Sequence, residues 1–181
     1  MPKVIINAAH GGSDAGGIYG QRIEKNDSLE LAIAVGEILE AYGIEVAYIR
    51  QEDIFISPIT RAETVNELGG DLLVSFHRGN APISNTFTGA RALVNNDETN
   101  DLVFEAANNI LFNLELLGYP NTGIGSRWYY LLENSEVPGF VLVVGYLNSE
   151  ADNQLFDDNF YETASAIAQG ILVALETMAV P

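Results

Sequence analysis

The sequence predicts an α/β layered fold built on a mostly parallel sheet of six strands. Three observations carry that expectation. Apolar, β-branched runs alternate with segments of helical periodicity, the strand-then-helix order of layered α/β proteins. Two of the runs, 71–77 and 139–146, are apolar throughout rather than alternating, as suits central strands covered on both faces. The chain has 181 residues, 48% of them apolar. That is the length of one domain, expected to span 1–181, with enough apolar surface to build a core.

The elements follow in order. Strands are expected at 3–9, 44–50, 71–77, 89–95, 128–133 and 139–146, and helices at 27–42, 58–68, 98–117 and 160–177. Asp27 is placed to cap the first helix, with Glu30 three residues on to complete a capping box. Leu29, Ala32, Ile33, Gly36 and Leu39 then share a face, and Gly43 ends the helix. Pro58 fits the first turn of the second helix. In the last helix Ala164, Ile167, Ala168, Ile171 and Leu175 make the apolar stripe. Segments 78–89 and 118–127, rich in Gly, Pro, Asn, Ser and Thr, read as surface loops.

Composition excludes several classes of function. The formal charge is −17, with 25 acidic residues against 8 basic, so nucleic acid and anionic membrane surfaces are repelled. High solubility or a salty habitat is the expected reason for such a surface, with a cationic partner surface as the alternative. No apolar run approaches the ~18 residues of a membrane span, and Met1-Pro2-Lys3 leads straight into a strand with no visible signal peptide. Cysteine is absent, which removes disulfides and thiolate metal sites.

The chemistry concentrates in three residues. His10 and His77 are the only histidines, and each ends an apolar run, where open α/β sheets gather their ligands. Glu24 follows the Gly-rich stretch 11–17. Two imidazoles and a carboxylate suit a zinc ion with three protein ligands and one open position, provided the loop 11–23 folds back over the sheet edge. A single histidine at a strand end is more often a satisfied polar residue than a ligand.

The surrounding words resemble a known family. Ile6-Asn7-Ala8-Ala9-His10-Gly11-Gly12-Ser13-Asp14-Ala15-Gly16, then Ile23-Glu24-Lys25-Asn26, is similar to the opening of the zinc-dependent N-acetylmuramoyl-L-alanine amidases called amidase_3. Thr60-Arg61-Ala62-Glu63-Thr64-Val65-Asn66, Asp71-Leu72-Leu73-Val74-Ser75-Phe76-His77 and Pro138-Gly139-Phe140-Val141-Leu142-Val143-Val144-Gly145-Tyr146-Leu147 resemble later family segments in the family's order, and Asp152 sits where the family often has an aspartate. The resemblance implies a single three-layer domain, its sheet twisted and its helices on both faces. It implies cleavage of the amide between muramic acid and L-alanine in peptidoglycan, with Zn2+ held by His10, Glu24 and His77.

The pattern also breaks. The resemblance puts the family's catalytic glutamate at Val143, and 137–149 holds no acidic residue. Glu150 is a weak substitute and Glu136 another, so the catalytic group is unassigned. Thr122-Gly123 stands for an Arg-Gly pair, with Arg127 out of register, and Ala9 for a glycine. Arg78 and Asn80, just after His77, are the expected substrate contacts, Arg78 through its bidentate fork. Arg61 and Asn66 are expected to fix loops. Trp128, Tyr129 and Tyr130 are expected to pack at a strand's start, where an exposed ring stacks on sugars.

Two readings emerge: a zinc amidase impaired at its proton carrier, and an inactive module for wall binding or for a structural role in a larger phage or cell-envelope assembly. A zinc carboxypeptidase-like hydrolase is a third, disfavoured by the order of the segments. Action on the wall requires release in the manner of a phage lysin, or export to the envelope by another route.

Overall fold

The computed structural model describes residues 1–178. Six strands form one sheet: β1 (Lys3–Ala8), β4 (Glu45–Tyr48), β5 (Leu72–Gly79), β6 (Ala90–Val94), β7 (Asn121–Ser126) and β8 (Gly139–Tyr146). Their spatial order is β4-β1-β5-β8-β6-β7. All pairs are parallel except β6 against β8. A small separate hairpin joins β2 (Ile18–Tyr19) to β3 (Arg22–Ile23).

Alternate strand residues face two different cores, as the two-residue period of a strand requires. On one face Val4, Ile6, Val74, Phe76, Phe140 and Leu142 pack beneath the long helices α1 (Glu24–Ala41), α3 (Asp101–Leu116) and α6 (Phe160–Met178). On the other, Ile5, Leu73, Val141 and Val143 meet α2 (Pro58–Leu68) and the single turn α4 (Tyr130–Glu133). The helix α5 (Glu150–Asp158) follows β8. This is the three-layer α/β domain expected, with a mostly parallel six-stranded sheet.

Several boundaries move. No strand forms over 128–133: that segment holds the turn α4, and the sixth strand is β7, inside the expected loop 118–127. The aromatic run 128–130 favours strand by propensity, but Leu131 and Leu132 bury themselves as a helical turn in the core that holds α2's Ala62 and Val65. The edge strand β7 contains Gly123 and Gly125 and pairs only with β6, so its structure comes from that free edge rather than from its own residues.

Helix α1 begins at Glu24, three residues before the expected cap. Ile23 holds the N-cap position with no side-chain cap, and Asp27 pairs with Arg22 and Arg78 instead. Its buried stripe runs through Leu31, Val35 and Leu39, leaving Leu29 and Ile33 at the margin. Helices α2 and α3 are capped by Ser57 and Asn100. The β2–β3 hairpin and α5 were not expected from the sequence.

Candidate metal centre

Strands β1 and β5 lie side by side in parallel with Ala8 opposite Phe76. Their carboxyl ends therefore deliver His10 and His77 to the same edge of the sheet. Past β1 the chain turns sharply: His10 has φ +59°, Gly11 +129° and Gly12 +58°. A left-handed conformation is unfavourable for a residue with a Cβ. Two buried arginines hold the turn. Arg50 donates to the Ala8 and Ala9 carbonyls, and Arg61 to those of Ala8 and His10. Arg61 is thus a positioning residue, as expected, and so is Asn66, which ties α2 to the 134–136 loop.

Glu24 reaches the site because loop 11–23 folds back and the β2–β3 hairpin places the start of α1 under it. Gly16 makes the closure possible. Its φ is +67°, and a Cβ there would lie 2.5 Å from the His10 ring and 2.8 Å from Glu24 Oε2. One Glu24 oxygen accepts from the Gly17 amide at 2.9 Å, the other from the Arg78 amide at 3.2 Å. Glu24 is 5% exposed.

His10 Nε2 lies 3.2 Å from Glu24 Oε2, and His77 Nδ1 lies 3.0 Å from Glu24 Oε1. One donor atom from each of the three residues falls within 4.8 Å of the others. Tetrahedral zinc with bonds of about 2.0–2.1 Å holds its donors about 3.3 Å apart, so the spacing fits that ion. The other nitrogen of His10 completes a familiar arrangement: Nδ1 meets Asp14 Oδ2 at 2.9 Å. A carboxylate behind a ligating imidazole fixes its orientation and makes it a stronger donor.

The charges agree. Burial works against ionisation of Glu24, but hydrogen bonds from His10 and His77 and their charge hold its carboxyl well below the usual range. Burial likewise opposes protonation of His10, yet Glu24 and then Asp14 outweigh it and raise its pKa above the ordinary value. The site is thus an anion between two imidazoles, ready for a divalent cation.

The open side of this centre is a cleft of about 340 Å³ lined by His10, Glu24, His77, Asn80, Val143 and Tyr129 among others. Val143 is the direct neighbour of His77 across β8, and presents methyl groups to it. Glu150 opens α5 and is exposed, while Glu136 precedes β8 at the opposite end of the strand. Among the described residues, Glu24 is the only acid lining this cleft. On the far side of the histidines a second, more apolar pocket of about 190 Å³ is lined by Asp14, Phe55, Tyr129 and Tyr130. Trp128 does not start a strand but stands 60% exposed.

The substrate contact expected at Arg78 does not fit. Its side chain is 1% exposed and paired with Asp27, donates to Asn153 at 2.7 Å and stacks over Phe156 at 4.3 Å. A substrate carboxylate has no access to that fork. Asn80 is exposed and does line the cleft. Asp152 is buried and accepts from the amides of Gly89 and Tyr146, tying α5 to the end of β8 and to the residue that precedes β6. Reasoning from the sequence missed Arg91, which faces the same cleft. Its position opposite Val143 depends on an antiparallel pairing that no local pattern reveals.

The comparisons with known proteins agree with this geometry. A family model described as N-acetylmuramoyl-L-alanine amidase matches residues 4–173. The germination-specific N-acetylmuramoyl-L-alanine amidase of Bacillus subtilis (strain 168) is 25% identical, over 93% of this chain and 78% of its own. The crystal structure of an N-acetylmuramoyl-L-alanine amidase from Clostridium difficile 630 matches with a TM-score of 0.89 and 28% identity, covering 97% of each chain. The catalytic domain of CwlV, an amidase from Bacillus (Paenibacillus) polymyxa var. colistinus, matches with a TM-score of 0.86 and 26% identity, covering 97% of this chain and 99% of its own. With a family model that runs from the first strand into the last helix, and the same fold in both solved amidases, this chain belongs to the N-acetylmuramoyl-L-alanine amidase family, Amidase_3.

Proposed function

We propose that this protein is a zinc N-acetylmuramoyl-L-alanine amidase acting on the amide between muramic acid and L-alanine in peptidoglycan, slowed by the loss of its general acid/base. The observation that carries the reading is the convergence of His10, Glu24 and His77, with Asp14 behind His10. Zinc bound there supplies a water of lowered pKa and a Lewis acid for the carbonyl. The chain's own residues orient these ligands: Asp14 fixes the His10 ring, and the Gly17 and Arg78 amides fix Glu24. Asn80 and the cleft walls position the substrate.

The proton carrier is where the site falls short. Hydrolysis of an amide requires a group that accepts a proton from water and one that delivers a proton to the leaving amine. Valine at 143 does neither. Tyr129, whose ring centroid lies 6.1 Å from that of His77, has its pKa raised by burial and stays protonated at neutral pH. It is a donor at most. Loss of a placed general acid/base costs about 10²–10⁴-fold.

Release of new L-alanine amino termini from purified sacculi tests this. The zinc-loaded native chain is expected to show slow release, and Val143→Glu to raise it by about 10²–10⁴-fold. Equal rates for the two would overturn the impairment. The Val143 position also favours a second reading, an inactive wall-binding or assembly module. Co-sedimentation with sacculi and no turnover in either form selects it.

A further inference from the structure

Basic side chains are scarce in this chain, 8 against 25 acidic, and nearly all are spoken for. Lys3, Arg22 and Lys25 sit on carboxylates of Glu45, Asp27 and Asp157, and Asp53. Arg78 sits on Asp27, while Arg50 and Arg61 serve the backbone carbonyls around His10. The remaining two, Arg91 and Arg127, form no salt bridge among the described residues, and both line the metal cleft. Two unneutralised cations in one cleft of a chain with charge −17 mark a place kept for an anion.

Their placement supports this. His77, Val143 and Arg91 are register partners on three adjacent strands, β5, β8 and β6, so they stand in one row on one face. Strands lie about 4.8 Å apart, which puts the Arg91 backbone roughly 10 Å from that of His77. The Arg91 Nε is buried without a hydrogen-bond partner. A Cβ on Gly125 would lie 2.9 Å from Arg91 Nη2, so the glycine leaves the guanidinium its room on the β7 side. Arg127 follows β7 directly, exposed, with its guanidinium 5.5 Å from the Tyr129 ring centre. The cleft therefore has metal ligands at one end and guanidinium groups at the other. A planar fork matches a carboxylate bidentately.

We propose that Arg91 and Arg127 form a carboxylate-binding subsite at the β7 end of the cleft, which holds a free carboxylate of the peptide stem while the scissile amide lies at His10, Glu24 and His77. The identity of the ligand as a peptide stem rests on the amidase reading; the carboxylate subsite itself does not. An extended chain advances about 3.3–3.6 Å per residue, so a carboxylate a few residues beyond the amide spans the interval.

The test follows the arginine Nε–Hε NMR signals during titration with N-acetyl-D-glutamate, in zinc-loaded and metal-free protein. It then compares binding of a muramyl tetrapeptide with free carboxylates against the same compound fully amidated. Both arginines are expected to shift saturably with or without zinc. The free acid is expected to bind about tenfold more tightly, a difference that one charge-assisted hydrogen-bond pair supplies. That preference falls to within twofold in Arg91→Gln and Arg127→Gln and is partly restored in Arg91→Lys. Arg127 is exposed, so its variant carries the test should Arg91→Gln fail to fold. No saturable shift, or a preference that survives both substitutions, overturns the subsite; so does an anion response that needs zinc and ignores both variants. Muramyl peptides that bind alike, free or amidated, sink the subsite and leave the amidase reading standing. N-acetyl-D-glutamate binding to the arginines without binding of either muramyl peptide does the reverse.

Discussion

At the scale of the residue, His10 does the most unusual thing in the molecule. Its φ of +59° costs about 1–2 kcal/mol for a side chain with a Cβ, and that cost turns the ring toward Glu24. Asp14 then locks it. Replacing Asp14 with Ala is expected to weaken zinc binding about 10–100-fold, the usual effect of losing such a partner. Competition with a chelator measures it, and unchanged affinity would remove Asp14 from the site. The raised pKa of His10 has a direction that depends on the metal. In metal-free protein its contribution to stability is fully present below pH 6.5 and is lost as pH rises through the higher folded value. Zinc needs the imidazoles neutral, so its stabilisation grows over the same interval. Melting temperatures between pH 6 and 8 should fall on account of His10 in EDTA, whereas the shift produced by zinc should widen. A zinc shift that narrows toward pH 8 contradicts this.

At the scale of the element, the start of α1 is held by charge rather than by a cap. Asp27 links Arg22 on β3 to the buried Arg78 on β5. Asp27→Ala would leave Arg78 buried without its counter-charge, a change that costs about 3–5 kcal/mol. In a chain of this size that is roughly 10 °C in Tm. A shift under 2 °C would show that Asn153 and the Phe156 ring suffice to hold Arg78. The sequence made Asp27 look like a cap because Asp followed at the right interval by Glu30 is a local signal. Its true partners lie on other elements, Arg78 being 51 residues away. The same division explains the strands. Runs 71–77 and 139–146 were legible because burial on both faces demands continuous apolar residues. Strand β7 was not, because an edge strand with two glycines borrows its structure from β6.

At the scale of the whole molecule, the charge of −17 acts against compactness. Raising NaCl from about 10 to 200 mM screens that repulsion, since the Debye length shortens from about 30 Å to under 10 Å. Thermal melts are expected to rise by several degrees. A fall would mean that attractive pairs such as Lys25–Asp53, 2.6 Å apart, outweigh the repulsion. No described helix is long and apolar enough to cross a membrane. The charge falls unevenly: among the described residues Arg50, Arg61, Arg91 and Arg127 form no salt bridge, and two of these, Arg91 and Arg127, line the cleft.

The sequence by itself determined the core of the sheet and singled out His10, Glu24 and His77 as candidate metal ligands. The core rests on residue type, since central strands must be apolar wherever they sit; two histidines in the whole chain leave little choice of imidazole, while Glu24 stood out among the acidic residues through the family resemblance of the segments around it. It also showed that no carboxylate occurs in 137–149, the ground on which the proposed impairment rests. Only the tertiary structure decided that Arg78 is buried against Asp27, that β7 and not 128–133 is the sixth strand, and that Arg91 and Arg127 share a cleft with His10, Glu24 and His77. Those outcomes depend on which distant segments become neighbours, and the energy that selects them comes from long-range ion pairs, core packing and strand register rather than from any stretch of the chain alone.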